Sequence, residues 1–275
     1  MQKTGKIGIF DSGVGGLSVF REIRKVLPDV SIVYFADQAN VPYGPRPLLE
    51  VRSFSKKITE FLISEGAELI VVACNAASAA ALHDLRQEYP TYPFVGMEPA
   101  VKPAAEYTKT GVVGVLATPA TFQGELYASV VERFANEVKI MQNTCPGLVK
   151  SIESGDLIGP EPRSILENAI LPMLAENIDT IVLGCTHYPF VIPLIQSIAG
   201  EKVRVIDPAP AIARQTARMM HQTGILPQSQ DQPEFKMFTS GDSKKFAFLL
   251  KTLLQESYPI HQARWIGTDL IQADS

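Results

Sequence analysis

Short apolar runs, each stopped by a small or polar residue and followed by a helical pattern, constrain this chain most. Thr180-Ile181-Val182-Leu183-Gly184 is the clearest of them. A brief β-branched run ending at a glycine reads as a strand buried on both faces, as in a parallel sheet. Cys185 follows at once and so stands at the strand's carboxyl end, the edge where open α/β sheets bind ligands. The run Leu69-Ile70-Val71-Val72-Ala73 has the same form. Cys74 ends it, and Asn75 and an alanine-rich helical stretch follow. Pro189 is tolerated at a helix opening, where a missing N–H costs little. Each cysteine is therefore expected at a helix N-terminus.

The runs recur. Lys6–Phe10, Val30–Ala36, Leu69–Ala73 and Phe94–Met97 are matched in order by Gly111–Ala117, Glu137–Met141, Thr180–Gly184 and Val203–Ile206, each about 105–111 residues later. The spacing predicts an α/β fold of two similar three-layer lobes with mostly parallel sheets, related by a pseudo-two-fold. The active-site cleft is expected between them. Residues 1–98 plus 210–275 form the expected first lobe, carrying Asp11 and Cys74. Residues 99–209 form the second, carrying Cys185 and His187. The tail is read as a helix over 209–222, an exposed connection over 226–233, a strand at Phe235–Phe238, a helix over Ser243–Glu256 and a strand at Arg264–Ile266. It is expected to pack back on the first lobe.

Charge and composition exclude several classes. The 275 residues can bury a sizeable core, and a net charge of -4 gives no electrostatic case for nucleic acid. No apolar run approaches the ~20 residues that span a bilayer. The opening Met-Gln-Lys-Thr-Gly-Lys carries no signal-peptide pattern. Three cysteines without a C-x-x-C make no disulfide framework. The expectation is a reduced, cytoplasmic setting.

Two cysteines facing one cleft suit racemisation beside a carboxylate. That reaction removes a proton from one face of a carbon and returns it to the other. A thiol serves because its pKa near ~8.5 falls toward neutrality at a helix N-terminus or beside a charged partner. His187 lies two residues beyond Cys185. Asp11 ends the first strand, which neighbours the third in many doubly wound sheets, and so it can sit beside Cys74. Ser12, Asn75 and Thr186 offer hydrogen bonds at the same edges. The turn Asp11-Ser12-Gly13-Val14-Gly15-Gly16 is either an anion-holding nest or a bare strand-to-helix turn. Tyr43 and Gly44, in a loop with three prolines, either offer a hydroxyl and open N–H groups or only connect rigidly to the next helix. Structural alternatives stand beside these readings. A cysteine after a buried strand is often packing, His187 can be a satisfied structural histidine, and Cys145-Pro146 reads as a structural loop. His83 and His221 look like ordinary helix residues. The histidines and cysteines show no metal-ligand spacing.

With those residues in place, the chain resembles the bacterial glutamate racemases, cofactor-independent members of the aspartate/glutamate racemase superfamily. The likeness is carried by Gly8-Ile9-Phe10-Asp11-Ser12-Gly13-Val14-Gly15-Gly16-Leu17, Val41-Pro42-Tyr43-Gly44, Ala73-Cys74-Asn75, Leu183-Gly184-Cys185-Thr186-His187-Tyr188-Pro189 and Ser240-Gly241-Asp242. It implies that Cys185 takes the proton from L-glutamate and Cys74 from D-glutamate, with Asp11, His187 and Glu153 assisting. It implies substrate contacts at Asp11, Ser12, Tyr43, Gly44, Asn75, Ala76, Thr118, Thr121, Thr186 and His187. It further implies no cofactor and no metal, a glutamate substrate, a homodimer, and supply of D-glutamate for peptidoglycan in the cytoplasm. Ala76 departs from the family, which usually has threonine there, and a hydroxyl is lost. That motivates two alternatives, a racemase of aspartate and a glutamate-binding regulatory module with impaired catalysis; a third, a cysteine hydrolase using Cys185 and His187, leaves the matching Cys74 unexplained.

Overall fold

A computed structural model describes residues 5–134, 137–225 and 232–273. The first half alternates β1 (Ile7–Asp11), α1 (Leu17–Val26), β2 (Ile32–Ala36), α2 (Leu48–Ser64), β3 (Leu69–Val72), α3 (Asn75–Glu88) and β4 (Phe94–Gly96). Next come α4 (Val101–Tyr107), β5 (Val112–Ala117), α5 (Pro119–Gln123), α6 (Glu125–Phe134), β6 (Lys139–Asn143), α7 (Leu148–Glu153), α8 (Pro160–Ala175) and β7 (Thr180–Gly184). A 3-10 turn at Tyr188–Val191 leads into α9 (Ile192–Ala199), β8 (Arg204–Ile206) and α10 (Ala209–Thr223). The tail holds β9 (Phe235–Thr239), α11 (Ser243–Leu254), β10 (Ile260–Ile266) and β11 (Asp269–Gln272).

Two sheets result. One runs β11-β10-β9-β2-β1-β3-β4 and the other β6-β5-β7-β8. Every pairing is parallel except β10 with β11. The order β4-β3-β1-β2 in the first sheet is the order β8-β7-β5-β6 in the second, so the repeat expected from strand spacing is present in the topology.

Strand residues alternate between two packed faces, as a period of two requires. Ile7, Ile9, Leu69 and Val71 pack with Leu17, Phe20, Ile212 and Phe246 on one side of the first sheet. Phe10, Val33, Phe35, Ile70 and Val72 pack with Val51, Ile58, Ala77 and Leu85 on the other. In the second sheet, Ile181 and Leu183 meet Leu148, Ile170 and Ile195. Val113, Val115 and Val182 meet Val101, Tyr127 and Val130. Each lobe is thus three-layered, and each fully buried Val, Ile, Leu or Phe contributes roughly 1.5–3 kcal/mol.

Two expectations change, and one lies outside the described residues. The tail does return to the first sheet, where β9 pairs β2, but it brings an extra strand, β11, and β10 begins at Ile260 rather than Arg264. β10 carries His261, Gln262 and Arg264, and the edge strand β11 has four residues, so neither has the apolar run that marks a buried strand. Residues 226–231 of the expected exposed connection lie outside the described residues. Lastly, no α-helix starts at Cys185. A bend and the 3-10 turn intervene before α9 opens at Ile192. No described helix is long and apolar enough to cross a membrane.

Candidate active site

Cys74 and Cys185 come from different sheets and line one cavity. Both are 5% exposed. Ser12, Pro42, Tyr43, Gly44, Asn75, Ala76, Thr118, Val149, Thr186 and His187 complete the lining. The cavity is closed down to about 20 Å³, room for about one water. The lobes are latched around it. Ala120 N–H donates to the Gly44 carbonyl at 3.0 Å, and Ser18 Oγ donates to the Thr186 carbonyl at 3.0 Å.

On the Cys185 side, His187 Nδ1 lies 3.7 Å from the sulfur. Its Nε2 lies 2.7 Å from Glu153 Oε1. Glu153 Oε1 also accepts from Val14 N–H at 2.7 Å, and Oε2 accepts from Gln38 Nε2 at 3.1 Å. The glycine-rich turn makes this possible. A Cβ at Gly13 would stand 1.9 Å from Glu153 Oε1, and one at Gly15 would stand 2.4 Å from His187 Nδ1. The turn does hold anions, and they are the protein's own carboxylates: Val14 N–H binds Glu153 and Gly13 N–H binds Asp11. Burial alone would lower the His187 pKa, but hydrogen bonds to and charges on Cys185 and Glu153 raise it well above 6.5. Burial likewise pushes Glu153 up, and His187, Val14 and Gln38 together hold it below its ordinary 4.5. His187 is thus held between the Glu153 carboxylate and the Cys185 sulfur.

On the Cys74 side, the sulfur caps α3 and accepts from Ala77 N–H at 3.5 Å. The expected fall of this thiol toward neutrality is not seen. Burial, with the nearby Asp11 charge, raises Cys74 well above its ordinary value, and the N–H groups of Ala77 and Ser12 offset only part of this. Asp11 is wholly buried. It accepts from Gly13 N–H at 3.0 Å and from Thr186 Oγ1 at 3.2 Å. Burial raises its pKa against the opposing pull of His187 and the Gly13 and Gly16 N–H groups. The two thiols thus stand in opposite surroundings, one beside a cation and the other beside an acid.

The remaining candidates divide. Asn75 is 3% exposed, lines the cavity, and both its Nδ2 and Oδ1 lack a hydrogen-bond partner. Buried polar atoms are rarely left so, and here the amide faces a space a ligand can fill. Tyr43 lines the cavity, but its hydroxyl donates to Asp37 Oδ2 at 2.5 Å rather than into the space. Thr118 lines it too. Thr121 stands behind, 3.0 Å from the Thr118 hydroxyl, and donates to the Gly184 carbonyl at 3.4 Å. Cys145 is buried in the same core as Cys185 and off the cavity lining, with its thiol pushed up to about 12 by burial and by Cys185.

Asp37, which follows β2, is a further buried carboxylate near the site, and it accepts the Tyr43 hydroxyl. Its carboxylate also accepts from Ser240 Oγ at 2.6 Å and from Trp265 Nε1 at 2.7 Å, which ties the tail to the Tyr43 loop. The signal was available: an aspartate closing a buried strand stands where Asp11 and both cysteines stand. Among the described residues, no group of three or more His, Cys, Asp or Glu is placed to hold a metal ion.

The chain and its fold resemble known proteins. Residues 7–216 match the family model of Asp/Glu/hydantoin racemases. A glutamate racemase of Ectopseudomonas mendocina is 46% identical over 260 residues, covering 94% of this chain and 98% of that protein. The structure of glutamate racemase isoform RacE1 from Bacillus anthracis superposes with a TM-score of 0.84 at 34% identity, over 98% of this chain and 100% of that one. A glutamate racemase from Francisella tularensis, solved in complex with D-glutamate, superposes with a TM-score of 0.83 at 27% identity, over 97% and 99%. With matched sequence, fold and length, this chain is an enzyme that belongs to the Asp/Glu/hydantoin racemase family, among its glutamate racemases.

Proposed function

We propose that this enzyme interconverts L- and D-glutamate by proton transfer between Cys74 and Cys185. The observation that carries the reading is the single closed cavity with one buried thiol from each lobe on its wall. Cys185 takes the α-proton of L-glutamate as the C–H bond breaks. The electron pair is held on the α-carbon and its carboxylate. Cys74 then gives its proton to the opposite face, leaving Cys74 as thiolate and Cys185 as thiol. D-glutamate reverses each step, so atoms and electrons balance in both directions.

The neighbours divide this work. His187, held by Glu153, faces the Cys185 sulfur and is placed to exchange a proton with it. The Asp11 charge acts on Cys74, and Asp11 is assigned to assist that thiol. The Asn75 amide, with Ser12, Gly44, Ala76 and Thr118, is suited to hold the amino acid's polar groups. No step calls on a cofactor. We assign residues 1–98 with 210–275 to one lobe and 99–209 to the other, and substrate enters when the lobes part. Following the family resemblance, we place the enzyme in the cytoplasm as a homodimer that supplies D-glutamate for peptidoglycan.

Substrate choice is tested by comparing kcat/KM for glutamate and aspartate. The expected preference is for glutamate by about two orders of magnitude or more, since removing one methylene leaves buried polar groups mispaired. Equal or reversed values would move the assignment to aspartate and point to the methyl of Ala76. Tight glutamate binding without turnover would make the protein a binding module.

A further inference from the structure

We infer that Gln38 is a positioning residue for the Cys185 half of the reaction, fixing the proton arrangement of Glu153 and His187 from the C-terminal tail. The inference rests on the two-thiol reading above, and it concerns residues outside the cavity lining. The chain of bonds begins at a backbone amide. Gly241 N–H donates to Thr239 Oγ1 at 3.0 Å. Thr239 Oγ1 donates to Gln38 Oε1 at 3.0 Å. Gln38 Nε2 donates to Glu153 Oε2 at 3.1 Å. Glu153 Oε1 meets His187 Nε2 at 2.7 Å, and His187 Nδ1 meets the Cys185 sulfur at 3.7 Å.

This chain has a polarity. The Gly241 N–H can only donate, so the Thr239 hydroxyl, already an acceptor, is free to aim its own proton at Gln38. The Gln38 carbonyl oxygen is then turned toward Thr239, and its NH₂ group toward Glu153. A donor there keeps Glu153 an acceptor on both oxygens. His187 Nε2 must carry a proton to meet it, which leaves Nδ1 to exchange a proton with Cys185. Packing supports the same register. A Cβ at Gly241 would come 2.7 Å from Gln38 Cβ, so the bare glycine lets the tail lie flat on this side chain. The charged groups that act on Glu153 are His187 and, across the glycine turn, Asp11.

The test compares Gln38→Leu, Thr239→Val and Thr239→Ser with the parent enzyme, reading kcat and KM for glutamate across pH. Losing a hydrogen bond to a charged group corresponds to roughly a tenfold to hundredfold effect, so Gln38→Leu is expected to lose that much kcat. KM should stay within about twofold, because the side chain does not touch the cavity. The acid limb of kcat/KM should move to higher pH, since Glu153 loses a donor. Thr239→Val should shift the same way by less, and Thr239→Ser, which keeps the hydroxyl, should restore the parent profile. An unchanged kcat in Gln38→Leu, a rise in KM alone, or equal loss in both Thr239 variants would overturn the inference. The Thr239 pair decides the matter if Gln38→Leu does not fold. Nitrogen-15 NMR of the His187 ring separates this inference from the glutamate assignment. A protonated Nε2 that is perturbed in Gln38→Leu and Thr239→Val supports the relay even if glutamate is not turned over, and an unperturbed ring defeats it.

Discussion

Cys74 and Cys185 have the same exposure and opposite electrostatic surroundings, which makes them unequal partners. His187 faces the Cys185 sulfur while the Asp11 charge acts on Cys74, so the two sulfurs meet different partners in the same cavity. Cys74→Ala and Cys185→Ala are each expected to remove full racemisation, a loss of about 10²-fold at least, measured by circular dichroism on both enantiomers. Full turnover in either variant would end the two-base account. The Glu153–His187 pair also links stability to pH. Glu153 lies below its ordinary 4.5, so its contribution is present above that value and is lost as pH falls through the folded value. His187 lies above 6.5, so its contribution is full below that value and fades as pH rises through the raised one. Both describe one interaction. Glu153→Gln should therefore flatten the fall of the urea midpoint at each end of the range. Identical pH dependence in the variant would mean the pair adds no net stability.

At the scale of elements, the glycine-rich turn after β1 joins the lobes. Its bare Cα atoms let Glu153 and His187 from the second lobe lie directly on first-lobe backbone. Gly15→Ala would press a methyl against the His187 ring. It is expected to lower kcat and to cost about 1–3 kcal/mol in urea unfolding, as overpacking does. Unchanged kcat would show that the turn does not position His187. The sequence reads well where a signal is local. Buried strands announce themselves by apolar runs, and candidate site residues at their carboxyl ends follow from that. Asp11, Cys74 and Cys185 were legible for this reason. Contacts between residues far apart in sequence were not: Gln38 and Glu153 are separated by 115 positions, and the Asp37–Trp265 bond by 228. Strands β10 and β11 lacked an apolar run, and the helix expected at Cys185 gave way to a 3-10 turn that leaves His187 facing the thiol. Burial of Cys74, which sets the direction of its pKa, is a property of the closed fold and has no local signature.

For the whole molecule, two α/β lobes of the same strand order close a cavity with space for about one water. Glutamate can enter only if the lobes part, so both active-site thiols should be labelled at the rate of opening. Alkylation of Cys74 and Cys185, followed by peptide mass spectrometry, is expected to be slow and to be slowed further by glutamate. Labelling as fast as in urea and indifferent to glutamate would mean the closed arrangement does not persist. The most direct test of the central claim is incubation of the reduced enzyme with L-glutamate in D₂O, following inversion by circular dichroism and the α-hydrogen by proton NMR. Two thiols on opposite faces predict inversion with solvent deuterium at the α-carbon and no added cofactor. Inversion that retains the original hydrogen, or exchange at one face with no inversion, would contradict it.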